Sequence, residues 1–353
     1  MPRLPFKRWP HDAGTNLSIR QIRAMYRDGY AGCEYRPDKI KAADEEFADH
    51  IEGQGNWSHS KGEDAAYSGG IVGSGEGKLT VLFPYIEQLY PGSLPGPAQA
   101  RGDCVSHSQA LANLTTIALD VGKADEITGI IEGAPDVSPD GCRAGVVSSC
   151  YLYWFRGSSG DGWQCSIAAK VSTQSGVMLC KMYDLVDLDL THYSGHLAGL
   201  YGRRSPPERV EALGRQHLIR TSTKVSGYEQ LRDFCSNGYG ISTCGSQSWS
   251  STRDECGVSK RTRQGWSHAL GLLGVDDRAA TRRRYQTRGL CLLANSWGKG
   301  WNSGGRTILN TSIDIPAGCF WTKYEDMEDR SCYAMSSAQG WPSKTLPAIM
   351  GGW

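Results

Sequence analysis

Gln99-Ala-Arg-Gly-Asp-Cys-Val-Ser-His-Ser-Gln-Ala-Leu-Ala112 places a cysteine where a helix begins. Pro95, Gly96 and Pro97 forbid a helix upstream, Gly102 permits a tight turn, and Asp103 is an N-cap residue. Beyond it, Val105, Ala110, Leu111, Leu114, Ile117 and Ala118 put an apolar stripe on one face of a helix predicted to run to about Asp120. Cys104 therefore stands at the positive end of that helix, where the macrodipole and unpaired backbone N–H groups favour thiolate over thiol. A lone cysteine in an apolar helix is ordinarily core. Two later segments change its meaning.

Gly265-Trp-Ser-His-Ala-Leu-Gly-Leu-Leu-Gly-Val275 carries one imidazole, His268, inside small and apolar residues, and reads as a buried strand. Leu292-Leu-Ala-Asn-Ser-Trp-Gly-Lys-Gly-Trp301 is an apolar strand that ends at Asn295 and enters a Gly/Trp-rich turn. Either polar residue alone would be a satisfied core group. Cys, His and Asn in that chain order supply a nucleophile, a general base and a group that orients the base.

These three segments resemble the papain-like (C1-type) cysteine peptidases, and Asn295-Ser-Trp-Gly-Lys-Gly-Trp301 is the most specific part of the likeness. The resemblance implies that Asn295 holds the His268 imidazole, that Trp297, with Ser296 beside it in support, shields the pair from water, and that Gln99 joins the Cys104 N–H at the oxyanion. It covers about Lys78 to Arg306. Gly-Asp-Cys-Val-Ser, with Ser159 to Gly162 and Ser175 to Val177, is closer to divergent papain-like proteins of bacteriophages and environmental bacteria. Two departures stand out. Val105 takes the place where the family has tryptophan, and Cys104 lies 164 residues from His268 and 191 from Asn295, against roughly 130–150 in the papain and cathepsin group. Insertions are required, and the charged stretch Asp276 to Arg288 reads as one, an elongated hairpin loop.

The resemblance implies an α+β, papain-like two-lobe fold, a helical lobe plus a twisted antiparallel sheet or barrel lobe, with an N-terminal extension. Residues 78–353 form the domain: a helical lobe at about 99–220 and a sheet lobe at about 221–353 plus 78–90. Residues 1–77 are read as a docking arm, with short helices at Ser18 to Arg27 and Asp38 to Ile51 and a Gly/Ser/Asn linker from Gln54 to Gly77. Lys78 to Tyr85 reads as a strand, Pro139 to Gly162 as irregular, with Gly160-Asp161-Gly162 as a wall of the cleft, and Ser166 to Ser175 as a short helix. Helices at Pro206 to Gly214 and Tyr228 to Phe234, a strand at Tyr239 to Cys244, and strands around His268, Leu290 to Asn295 and Arg306 to Leu309 complete the sheet lobe.

Composition narrows the function classes. At 353 residues and a net charge of +1, the chain can bury a sizeable core and sets up no strong field, so nothing in it calls for nucleic acid. It shows neither a secretory h-region nor a membrane span, and the expected location is cytoplasmic or virion-associated. The 12 cysteines are read as mostly free thiols, with Cys142/Cys150 and Cys235/Cys244 as the local pairs to examine. Cys104 and His107 alone do not make a metal site, so no metal and no cofactor are expected. Arg101-Gly102-Asp103 spells an integrin-binding tripeptide, but it lies in the loop that must shape the oxyanion site and is read as chance. Lys260, Arg261, Arg263, Arg278, Arg282, Arg283 and Arg284 flank His268 as solvated strand ends or, on the sharper reading, as a basic rim selecting acidic partners. The expected activity is endopeptidase cleavage of a peptide or protein substrate. The alternative is a papain-fold structural or binding protein of a phage particle, with weak or no turnover, that assembles with itself or with phage structural proteins. A peptidoglycan amidase spaces Cys and His more closely and lacks Asn-Ser-Trp-Gly.

Overall fold

The computed structural model describes residues 71–122, 146–302 and 305–336. The helices expected at Ser18 to Arg27 and Asp38 to Ile51, Cys142, and the tail after Ser336 lie outside the described residues. The end of the expected linker is fixed in place by two buried carboxylates. Asp233 accepts the N–H groups of Gly73 and Gly75 at 2.8 and 3.1 Å, and the Arg232 guanidinium at 2.8 and 3.0 Å. Asp277 accepts Gly77 N–H and the Tyr228 hydroxyl, each at 2.7 Å.

From this clamp the chain forms β1 (Leu79–Val81) and α1 (Phe83–Leu89). The single strand expected from Lys78 to Tyr85 is thus cut short, because Pro84 cannot donate to a ladder but fits the first turn of a helix. The helical part follows: α2 (Cys104–Gly122), α3 (Ser149–Trp154), α4 (Cys165–Gln174), a small ribbon of β2 (Met182–Tyr183) and β3 (Leu188–Asp189), α5 (Gly195–Tyr201) and α6 (Glu208–Gly214). α3 sits inside the stretch expected to be irregular, started by Ser148, whose hydroxyl accepts Tyr151 N–H at 3.3 Å. The sheet part comprises β4 (Ser222–Val225), α7 (Gly227–Ser236), β5 (Gly240–Gly245), β6 (Ser248–Arg253), β7 (Ser259–Thr262), β8 (His268–Asp276), α8 (Ala279–Tyr285), β9 (Leu290–Ala294), β10 (Arg306–Thr307), β11 (Asp314–Ile315), β12 (Cys319–Lys323) and β13 (Ser331–Met335).

Seven strands make the main sheet, in the order β12-β9-β8-β5-β13-β4, with β1 added on β8 beyond the end of β5. All its pairings are antiparallel. The architecture is the α+β arrangement expected, except that among the described residues the sheet is open and no barrel closes. The strand expected at Arg306 to Leu309 shrinks to β10, which pairs with β11 in a separate ribbon. Asp276 to Arg288 is not an extended hairpin loop. Asp276 receives Thr281 Oγ1 at 2.8 Å and Arg278 at 2.9 and 2.7 Å, which turns the chain into α8, and Arg282, Arg283 and Arg284 occupy its last turn, where cations suit the helix dipole.

All nine residues of β8 are buried, and α2 lies across the sheet against this strand. A Cβ on Gly240 would stand 1.8 Å from Ala112 O, so only glycine lets the helix backbone approach β5 this closely. From Cys104 to Leu119, every position of α2 but Leu111 is buried, so the apolar stripe describes only part of its surroundings. The polar positions find partners in the interior. Gln109 receives Ser242 Oγ at 3.0 Å and donates to Asn113 and Ser172 at 3.1 Å, Ser108 Oγ donates to Leu270 O at 2.7 Å, and Thr116 Oγ1 to Met335 O at 3.0 Å. This polar seam registers helix against sheet.

A disulfide joins Cys165 at the start of α4 to Cys244 near the end of β5. Cys244 therefore does not pair with Cys235. Between Gly240 and Cys244 the strand carries its cysteine about 13 Å away from the α7 end of β5, whereas a disulfide needs Cα atoms within about 7 Å. Cys150, Cys235, Cys256, Cys291, Cys319 and Cys332 are free, buried thiols, and burial pushes Cys319 and Cys332 up to about 12. No helix among the described residues is long and apolar enough to cross a membrane.

Removing the Asp233 carboxylate leaves the Arg232 guanidinium and two buried backbone N–H groups without it. Asp233→Ala is expected to lower the unfolding free energy by about 3–5 kcal/mol, whereas Glu229→Ala, which opens the exposed pair with Arg288, should cost under ~1 kcal/mol. Urea titration of both variants checks the ranking.

Candidate functional site

Cys104 opens α2 and is wholly buried. Asp103 O accepts His107 N–H at 3.2 Å and Ser106 Oγ at 2.8 Å, but its carboxylate does not serve as the expected N-cap; Oδ2 takes the Tyr193 hydroxyl at 2.8 Å instead. Cys104 Sγ accepts Ala269 N–H at 3.3 Å, which sets the sulfur against the residue after His268. His268 Nε2 lies 2.9 Å from Asn295 Oδ1. Because that oxygen can only accept, Nε2 carries the proton and Nδ1 keeps the lone pair.

Sheet register explains how residues 27 positions apart meet. Gly271 faces Ala294 across the β8–β9 ladder, so one further step puts Asn295 across from Leu270. Leu270 and His268 share a face of β8, and the two polar side chains become diagonal neighbours. Trp297 stacks on the imidazole with centroids 4.6 Å apart and planes 27° apart, and Trp266 stands edge-on to Trp297 at 4.6 Å. Trp301 and Phe320 continue the aromatic wall. Burial in this wall pulls the His268 pKa down to about 3; the Asn295 hydrogen bond opposes the shift, and the charges of Arg330 and His107 add to it. Cys104 and His268 are both 0 % exposed, so neither meets bulk water in this state.

Gln99 is buried and tied to the asparagine loop. Its N–H donates to Ser296 O at 2.7 Å, its Oε1 accepts the Ser296 hydroxyl, and its Nε2 donates to Arg101 O at 2.8 Å. Ser296 thus braces Gln99. One amide hydrogen of Gln99 is committed to the loop itself. The loop is held from outside as well. Arg101 is paired with Asp161 and donates to Gly195 O at 3.1 Å, Gly162 N–H donates to Gly102 O at 2.8 Å, and Tyr193 receives Ala100 N–H at 2.9 Å. Gly160-Asp161-Gly162 therefore buttresses the loop that precedes Cys104. With Arg101 in an ion pair and Asp103 buried, Arg101-Gly102-Asp103 is not displayed as an integrin ligand.

The arginines near His268 do not form one uncompensated rim. Arg278 is bound to Asp276, Arg284 is paired with Glu255, and Arg282 lies 3.9 Å from Asp277, whereas Lys260, Arg261, Arg263 and Arg283 are exposed. Trp266, Tyr193 and Arg330 were not expected at the site, whereas Asp161 belongs to the stretch expected as a wall of the cleft. Trp266 was open to discovery, since it stands two residues before His268 in the run that leads into β8. The other two reach the site from loops with no local pattern.

No family model matches the chain, and no curated protein matches it. Among solved structures it is similar to Xylellain, a cysteine protease from Xylella fastidiosa, at 15% identity and a TM-score of 0.43, over 68% of this chain and 81% of that one. It is also similar to Cwp84, a clostridial cysteine protease, at 17% identity and 0.43, over 70% of this chain and 56% of that one. A structure of the cysteine protease and lectin-like domains of Cwp84 from Clostridium difficile matches at 18% and 0.42, over 75% and 54%. The chain spans about half the length of the Cwp84 structures.

Folded His268 stays neutral down to about pH 3, whereas the unfolded chain protonates it near 6.5. A depressed folded value means that its share of stability is complete above pH 6.5 and is lost as the pH falls toward 3. Between pH 6.5 and 5 the wild type is expected to lose about 2 kcal/mol more than His268→Gln, at about 1.4 kcal/mol per pH unit. Urea unfolding at the two pH values measures it, and equal losses would show that the imidazole takes up a proton in the fold.

Proposed function

We propose that this chain is a papain-like cysteine endopeptidase acting through Cys104, His268 and Asn295. The observation that supports the reading is that Cys104 Sγ accepts the N–H of Ala269, the residue after His268, while His268 Nε2 is bonded to Asn295 Oδ1 at 2.9 Å. In the proposed reaction His268 Nδ1 takes the thiol proton and Sγ attacks the carbonyl carbon of a peptide bond. The C=O electron pair moves to oxygen, supported by the Cys104 backbone N–H and the Gln99 amide. When the C–N bond breaks, the imidazolium returns its proton to the leaving nitrogen. Water then cleaves the thioester with His268 again as base. Asn295 fixes the tautomer, Trp297 keeps water from their bond, and Ser296 steadies Gln99. No cofactor enters the scheme, and the partner is a peptide or protein substrate.

Residues 1–77 belong to this proposal as a docking arm, not as an inhibitor filling the cleft. The clamp on Gly73, Gly75 and Gly77 supports that assignment for its last part. Complete burial of the thiol and imidazole, together with Val105 in the place of the family's tryptophan, favours one second reading, a papain-fold binding protein of a larger particle with little turnover.

Hydrolysis of a peptide panel and covalent labelling by an epoxysuccinyl probe test both. Cys104→Ala and His268→Ala are each expected to lower hydrolysis by at least about 10³-fold, with losses that do not add, because nucleophile and base act as one unit. Asn295→Ala should be milder. Undiminished hydrolysis by Cys104→Ala rejects the nucleophile, and absence of hydrolysis across the panel with Cys104 still labelled favours the binding protein.

A further inference from the structure

Arg330 precedes β13 and is buried, yet its guanidinium reaches across two strands to the residue proposed as base. Nη2 donates to His268 O at 2.7 Å and to Thr243 O at 3.2 Å, Nε to Thr243 Oγ1 at 3.1 Å, and Nη1 approaches Gln247 Oε1 at 3.5 Å. The cation also lies 5.4 Å over the Trp249 ring, which stands edge-on to Trp266 beside the imidazole. Register shows why the reach is possible. Ser331 pairs with Cys244, which puts Arg330 beside Gly245, and Gly245 pairs with His268. A Cβ on Gly245 would lie 2.7 Å from Arg330 Cγ and 2.4 Å from Gln247 Oε1, so the central strand carries a glycine where the arginine passes over it.

We propose that Arg330 is a positioning residue for the Cys104–His268 pair: its fork fixes the backbone of His268 at the start of β8, and its charge sets the pH range in which the pair exchanges its proton. The proposal rests on the reading of His268 as the base. The groups that act on the imidazole among the described residues are His107 from α2, 3.7 Å from Asp103, Asn295 from the loop after β9, and Arg330 from the turn before β13, and Cys104 Sγ of α2 lies against the N–H of the next residue, Ala269. Trp266 and Trp297 add apolar surface. Of these, Arg330 is permanently charged. A positive charge held near a thiol and an imidazole makes a proton easier to remove from each, so losing it moves both titrations to higher pH. An arginine that merely ties strands together would lower stability when lost and leave those titrations in place.

The test is the pH dependence of Cys104 alkylation by iodoacetamide on the full chain, followed at the Cys104 peptide by mass spectrometry. Arg330→Gln is expected to move both limbs of the rate profile up by on the order of one pH unit. Arg330→Lys, which keeps the charge and loses the fork, should leave the limbs in place and lower the plateau several-fold. Gln247→Glu keeps Arg330 and sets a carboxylate against it, and should move the limbs up as Arg330→Gln does; it decides the matter if Arg330→Gln does not fold. Limbs unmoved in a folded Arg330→Gln, or in Gln247→Glu, overturn the proposal. His268→Ala separates the two layers. If it alkylates Cys104 with the wild-type profile, His268 is not the partner of the thiol, whatever Arg330 does.

Discussion

The hydrogen bond from His268 Nε2 to Asn295 Oδ1 is the contact around which the sheet is arranged. A buried imidazole must place its N–H on an acceptor or bear the cost of leaving it bare, about 1–3 kcal/mol. Meeting that demand requires β8 and β9 to be neighbours in one register and Asn295 to stand just past the end of its strand. It also requires an aromatic wall dense enough to keep water from competing. The β8–β9 ladder slips by one residue between Leu272 and Gly274, and Leu273 there turns its carbonyl to Leu82 N–H at 2.8 Å, which ties in the start of α1. The irregularity that lets the far half of β8 receive β1 leaves the near half free to pair His268 with β5.

α2 answers the same demand in another way. Its buried surface carries Ser108, Gln109, Asn113 and Thr116, each matched to a partner on a strand or a neighbouring helix. An oily interface would tolerate sliding by a fraction of a turn. This one does not, because a shift would strand several amides and hydroxyls at once. The position of Cys104 against Ala269 is therefore set by bonds formed one to three turns further along the helix.

Much of this was legible from the chain. The cysteine at a helix start, the histidine in a uniformly apolar run and the asparagine at the end of another needed only periodicity and residue chemistry, because each signal is local. The α7–β5 pair was readable for the same reason. What escaped notice depends on contacts remote in sequence. Cys244 finds Cys165 across the helix–sheet boundary, and no spacing rule separates that partner from Cys235. Arg330 reaches His268 only because Gly245 lies between them. α8 was hidden by its arginines, which read as loop until Asp276 and Thr281 show how the turn is made. The donor to Cys104 Sγ is a backbone N–H, and backbone donors have no signature in a sequence.

The bond between Cys165 and Cys244 has a practical side. Cys244 is the direct cross-strand partner of Ala269, whose N–H holds the Cys104 sulfur, so the staple and the Cys104 thiol share one corner of the sheet. Thiol chemistry is usually supported by added reductant, which keeps a nucleophile from oxidising. Here the same additive also attacks the covalent link that presses α4 against β5. Dithiothreitol would thus restore an oxidised Cys104 at low dose and loosen its surroundings at high dose, and a preparation handled in strong reductant is a different molecule from one handled in little.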